Sequence, residues 1–135
     1  MKTSTLLEKQ KALGASFKND GAWRLADYYT DLAEEYKRTD HTVLFEKPYF
    51  GHVKVSGNDH ADLLHRITTN EIRNLQPGQG LINIFTNEIG RIIDRVYLLR
   101  SEDSIHLITS RDNSEKICKW IDKFIFLEDV QWTPA

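Results

Sequence analysis

The sequence predicts an α+β fold: a mostly antiparallel sheet with helices on one face, ordered like a ferredoxin-like split βαβ layout with one added strand, behind an N-terminal helical arm. Three observations predict it. Gly51-His52-Val53-Lys54-Val55-Ser56-Gly57 alternates polar and apolar residues with the period of a half-buried strand. Helical spacing follows at residues 60–68 and again after Asp112-Asn113-Ser114. Between the two helices lie apolar runs separated by turn residues, the pattern of a β-hairpin.

Size and composition narrow the class. The chain has 135 residues, enough for one domain of ordinary size. A formal net charge of -2 with 28% charged residues argues against a basic nucleic-acid surface. The single cysteine, Cys118, allows neither an internal disulfide nor a CxxC metal site, and it points to a reducing, cytoplasmic setting. No apolar run approaches the roughly 18 residues of a membrane span, and Glu8-Lys9-Gln10-Lys11 directly after Leu6-Leu7 is unlike a signal peptide. The expected partners therefore include no nucleic acid and no membrane.

Along the chain, residues 4–13 read as a short helix with Ser4 at its N-cap and Gly14 at its end. Phe17 to Gly21 reads as a loop. Trp23, Ala26, Tyr29, Ala33 and Tyr36 recur every three or four residues, which predicts an amphipathic helix over 22–37 with a core-facing aromatic stripe. Residues 1–45 then form the helical arm and 46–135 the α+β domain. Pro48 stops regular pairing after Thr42. Strand 51–57 points Val53 and Val55 inward, and Asn58 is placed to cap helix 60–68, whose Ala61, Leu64 and Ile67 share a face. His60 and His65 are five apart, off the spacing that sets two imidazoles on one helical face, so they read as surface residues and no metal site is expected.

The central ribbon runs from Leu75-Gln76-Pro77-Gly78 through Tyr97-Leu98-Leu99. A symmetric loop on Glu88-Ile89 would set Asn83 opposite Asp94, Phe85 opposite Ile92 and Ile82 opposite Arg95. Alternation puts Asp94 on one face with Val96 and Leu98, and Arg95 on the other with Tyr97 and Leu99. A buried, unpaired carboxylate costs several kcal/mol or takes up a proton, so Asp94 requires the Asn83 amide, a backbone N–H or a ligand, unless it lies at a solvated strand end. Further on, Ser101 to Ser104 reads as a turn, 105–109 as a strand, and Ile117, Trp120, Ile121 and Phe124 as the buried stripe of the last helix. Cys118 lies beside that stripe and reads as structural. Residues 130–133 form the final strand.

Several segments together carry a resemblance: Val53-Lys54-Val55-Ser56-Gly57, Ile67-Thr68-Thr69-Asn70-Glu71, Leu75-Gln76-Pro77-Gly78, Thr86-Asn87-Glu88 and Gly90-Arg91-Ile92-Ile93-Asp94. In this order the chain resembles the N-terminal part of the glycine cleavage T-protein (aminomethyltransferase) family and its folate-binding relatives. The resemblance implies part of a tetrahydrofolate-binding fold, in which an aminomethyl group passes from a lipoyl arm to folate with release of ammonia. It assigns Arg95 and Tyr97 to the ligand face, with Asp94 and Asn83 supporting the strand from behind. The sequence also departs from the family. Arg95 stands where the second of two aspartates is expected, Ile82 where a tyrosine is expected, and Glu46-Lys47-Pro48-Tyr49-Phe50-Gly51 where Asp-x-Ser-His-x-Gly is expected.

The function so implied is a tetrahydrofolate-binding, aminomethyltransferase-like N-terminal fragment that lacks the full catalytic machinery, with no catalytic residue assigned. Its partners would be the folate itself and either the remaining part of the fold or a self-associated copy. The alternatives are a non-catalytic folate-dependent module of iron-sulfur cluster assembly or maintenance, and a bare interaction domain.

Overall fold

The computed structural model describes residues 1–134. The chain divides into two compact units, Met1–Pro48 and Tyr49–Ala135.

The first unit is a small mixed unit and not a helical arm. It contains β1 (Lys2–Thr3), α1 (Leu7–Ala12), β2 (Ser16–Asp20), β3 (Trp23–Tyr28) and α2 (Leu32–Arg38), with the strands ordered β1-β3-β2. The expected loop at 17–21 is strand β2, and the expected helix over 22–37 is strand β3 followed by α2. Asp20-Gly21 decides this: Gly21 has φ +60° and turns the chain so that Asp20 pairs with Trp23 and Lys18 with Leu25. Glycine at the first of the two loop residues, Gly21-Ala22, supplies the positive φ that a tight hairpin turn needs there, and the pairing it allows overrides the helical spacing of the flanking aromatics. Asp31 starts α2 by accepting hydrogen bonds from the Ala33 and Glu34 amides, while the Glu35 carboxylate accepts from the Tyr29 and Thr30 amides. No residue of α2 is buried, and Tyr36 is 78% exposed, so the aromatic stripe does not face a core. Ser4 holds the chain entry to α1 through a bond from the Leu6 amide to its hydroxyl, two residues before the N-cap position, which Leu6 occupies.

The second unit follows the expected order: β4 (Phe50–Ser56), α3 (His60–Ile67), β5 (Gly80–Thr86), β6 (Ile92–Arg100), β7 (Ser104–Arg111), α4 (Ser114–Asp122) and β8 (Gln131–Pro134). Its five strands lie in the order β5-β6-β7-β4-β8, and every pairing is antiparallel. A split βαβ needs parallel strands at the ends of its crossover. β7 and β8 meet this condition, since each is antiparallel to β4 between them and α4 joins them; the crossover through α3 instead ends on the edge strand β5, which runs antiparallel to β4, while β6 runs parallel to it.

The inward faces of the strands and the apolar stripes of α3 and α4 make one core. Val53, Val55, Leu63, Leu64, Ile72, Phe85, Val96, Ile105, Leu107, Ile117 and Ile121 are all removed from solvent. At roughly 1.5–3 kcal/mol per buried large aliphatic side chain, this cluster is the main favourable term holding the unit together. Cys118 belongs to it and is buried as a packing residue. His60 is also buried, contrary to the surface placement expected for it. Its Nδ1 hydrogen-bonds the Gly57 carbonyl, which fixes the ring inside the first turn of α3. Asn58 does not cap α3; its side-chain amide donates to the Asp129 carboxylate at 2.7 Å, tying the start of the helix to the segment before β8.

β5 is an edge strand, and its free edge is covered. Thr69 donates its backbone N–H to the Ile84 carbonyl, and the Asn70 side chain donates to the Ile82 carbonyl. This local cap satisfies backbone groups that would otherwise invite pairing with another chain.

Candidate functional site

The ribbon β5–β6 is displaced from the symmetric register by two residues. Ile82 faces Tyr97, Asn83 faces Val96, Ile84 faces Arg95 and Phe85 faces Asp94, with a bulge between Phe85 and Thr86. The expected pairings of Asn83 with Asp94, Phe85 with Ile92 and Ile82 with Arg95 are therefore replaced. The cause is the loop: Asn87 bonds through its amide to the Arg91 carbonyl and through its side-chain oxygen to the Ile89 and Arg91 amides, so the turn closes around 87–91. Because side chains alternate with a period of two, a slip of two residues changes partners but keeps every side chain on its expected face.

Behind the ribbon, Asn83 is wholly buried and serves as an internal cap. Its Oδ1 accepts from the amides of Thr69 (3.2 Å), Asn70 (3.0 Å) and Ile84 (2.8 Å), and its Nδ2 donates to the Thr68 hydroxyl at 2.8 Å. One side chain thus fixes the chain leaving α3 against β5. Asp94, only 5% exposed, accepts from its neighbour's amide at Arg95 (2.8 Å), from the Ser110 amide (3.1 Å) and from the Ser110 hydroxyl. The partner that a buried carboxylate requires is therefore β7, not Asn83. Ser110 was not legible beforehand, because nothing in the sequence brings it beside Asp94 until β6 and β7 are aligned.

On the opposite face the ribbon is open. Tyr97 is 48% exposed, and Ile82 and Leu99 are exposed beside it. Together with Gly80, Leu81, Leu98 and Ile108 they line an open, almost wholly apolar depression of about 530 Å³. The Arg95 guanidinium lies 5.0 Å from the centre of the Tyr97 ring and donates to its hydroxyl at 3.4 Å, so the cation and the ring stand together, two residues apart on one strand. At Gly80, β5 lies close against β6: a Cβ there would sit 2.7 Å from the Leu98 carbonyl oxygen. The four residues singled out from the sequence thus split into a buried pair, Asn83 and Asp94, and an exposed pair, Arg95 and Tyr97.

A smaller hollow of about 230 Å³ lies between the end of α3 and the β5–β6 turn, lined in part by Arg66, Thr68, Trp120 and Phe124. Its cation is already engaged, since Arg66 pairs with Asp62 (3.1 Å) and Glu128 (2.7 Å). Glu128 is held down to about 2 by the Phe126 amide, the Arg66 guanidinium and further backbone donors.

Comparison with known proteins then identifies the family. The GCVT N-terminal domain model matches residues 6–134. The chain belongs to the GCVT N-terminal domain family. Among curated relatives, the aminomethyltransferase of Thermotoga neapolitana is 28% identical over 123 residues, which is 90% of this chain and 34% of that protein. The aminomethyltransferase of Halothermothrix orenii is 32% identical over 124 residues, again 90% of this chain and 34% of the relative. The crystal structure of the glycine cleavage system aminomethyltransferase T from Bartonella henselae superposes with a TM-score of 0.81, covering 99% of this chain and 38% of that one at 23% identity. The chain spans about a third of the length of the relatives it matches. Among its described residues no helix is long and apolar enough to cross a membrane.

Proposed function

We propose that this GCVT N-terminal domain contributes one wall of a tetrahydrofolate site in an aminomethyltransferase-type protein. The observation that carries the reading is the open face of β5 and β6: an exposed Tyr97 ring above an apolar depression, with Arg95 against it. A pteridine or aminobenzoyl ring is flat and apolar on its faces, so it fits a tyrosine and aliphatic floor, and a guanidinium can hold an acidic group of the same ligand in two parallel hydrogen bonds. Asn83 and Asp94 do not touch the ligand in this reading. They hold the ribbon flat from behind, as their saturated hydrogen bonds require.

The same residues limit the chemistry this wall supplies. Folate, when bound, supplies the nitrogen that accepts the one-carbon unit. The protein must orient that ring and handle protons and cationic charge as the transfer proceeds. Arg95 stands where a carboxylate would stabilise a developing cation, and at an effective dielectric near 20 a cation at about 4 Å is opposed by roughly 4 kcal/mol before solvent screening. The wall therefore supports binding and orientation, and any general acid or base comes from elsewhere in the complete site. The remaining part of the fold or a second copy of the chain is the partner that closes the depression, in a cytoplasmic protein. The relatives' names favour this reading over an iron-sulfur maintenance module.

Isothermal titration with 5-formyltetrahydrofolate tests it. Saturable heat is expected, with Tyr97→Ala weakening binding about tenfold, the scale of one lost aromatic stack. Absence of heat at millimolar folate, or full affinity in Tyr97→Ala, overturns it.

A further inference from the structure

The open sheet face carries a second feature that the folate reading does not use. His52 on β4 and His106 on β7 project from adjacent strands onto this face, His52 opposite Ile108 and His106 opposite Lys54, so the two rings meet on the diagonal. Their facing nitrogens, His52 Nε2 and His106 Nδ1, are 2.8 Å apart, and the ring centres are 5.1 Å apart with planes 26° from parallel. The rings therefore meet edge to edge, with one proton between them.

We propose that His52 and His106 are a two-histidine site for a divalent transition-metal ion of the copper and nickel class. Two ring nitrogens bound in cis at about 2.0 Å from one ion stand roughly 2.8–3.3 Å apart, so the observed spacing is the spacing such an ion needs, and only ring rotation is required to aim both lone pairs at it. The proton count balances. In the neutral pair each ring carries one proton; binding keeps one on His52 Nδ1 and one on His106 Nε2, and frees the two facing nitrogens. The buried Ser104 hydroxyl stands 3.5 Å from His106 Nε2 and can accept that proton's hydrogen bond, selecting the tautomer that leaves Nδ1 to the ion.

No third His, Cys, Asp or Glu joins the pair among the described residues, so water completes the coordination shell. Imidazole ligands without carboxylates disfavour calcium and magnesium, which take oxygen. Lys54, directly across the ladder from His106, repels a divalent ion and sets the affinity low.

The test is titration of the full chain with copper(II) chloride against a weak chelator, read by electron paramagnetic resonance. One equivalent bound with a two-nitrogen signature supports the site. His52→Gln and His106→Gln should each weaken binding at least tenfold, and Lys54→Gln should tighten it about threefold. Where a histidine variant fails to fold, carbethoxylation of the wild type by diethyl pyrocarbonate, read by peptide mass spectrometry, serves instead. Copper should protect His52 and His106 and leave His41 reactive. A one-nitrogen signal, unchanged affinity in both histidine variants, or protection confined to His41, His60 or His65 overturns the proposal.

Discussion

Replacing Asn83 by alanine tests whether one buried amide organises the ribbon. The side chain is wholly buried and makes four hydrogen bonds that join the end of α3 to β5, and a fifth to the Ile84 amide within β5. Alanine withdraws the acceptor of the Ile84 and Asn70 amides and the Thr68 hydroxyl's donor; the Thr69 amide keeps its second acceptor, the Ile84 carbonyl at 3.2 Å. An orphaned buried N–H costs about 1–3 kcal/mol and the lost second bond about 1 kcal/mol, so a loss of about 3 kcal/mol is expected. For a unit of this size that corresponds to a fall of about 12–24 °C in Tm. The assay is thermal and urea unfolding followed by the fluorescence of Trp120 and Trp132, with Asn70→Ala as the control. The Asn70 side chain donates one exposed bond, to Ile82 at 2.7 Å, and its removal should cost less than about 1 kcal/mol. The reasoning is refuted if Asn83→Ala stays within about 1 kcal/mol of wild type, or if the control costs as much.

Other perturbations follow from the same geometry. Gly57 has φ +108°, and a Cβ there would meet the Asp129 carbonyl oxygen at 2.1 Å, so Gly57→Ala should displace the segment that ties α3 to β8 and lower the urea midpoint by more than Gly14→Ala, where nothing lies nearby. His52 binds its proton less readily folded than unfolded. The unfolded state therefore takes up a proton first as pH falls, and the His52 contribution, complete above about 6.5, is lost through the range between that value and its lowered folded pKa. Comparing urea midpoints of wild type and His52→Gln at pH 7.5 and 5.0 checks this, and a wild type whose extra loss on acidification equals that of the variant contradicts it. Burial pushes the Cys118 thiol up to about 11, so iodoacetamide at pH 8 should leave the native chain unmodified and label it fully in urea.

What the sequence determined by itself was local and periodic. Alternation over 51–57, the stripe Ile117, Trp120 and Ile121, and the sorting of Asp94 and Arg95 to opposite faces all follow from periods of 2 and 3.6 along a short stretch of chain, and the second unit has them. The sequence also held the turn glycine Gly21, but the helical spacing of Trp23, Ala26 and Tyr29 competed with it, and the choice between strand and helix rested on pairing with β2. Tertiary structure alone decided the partners. Whether Asp94 meets Asn83 or Ser110, whether His60 is outside or in the core, and whether His52 finds His106 all depend on strand alignment between residues distant in sequence. That alignment is set by the closing of the Asn87 loop and the packing of both helices on one sheet face, which no short window of sequence contains.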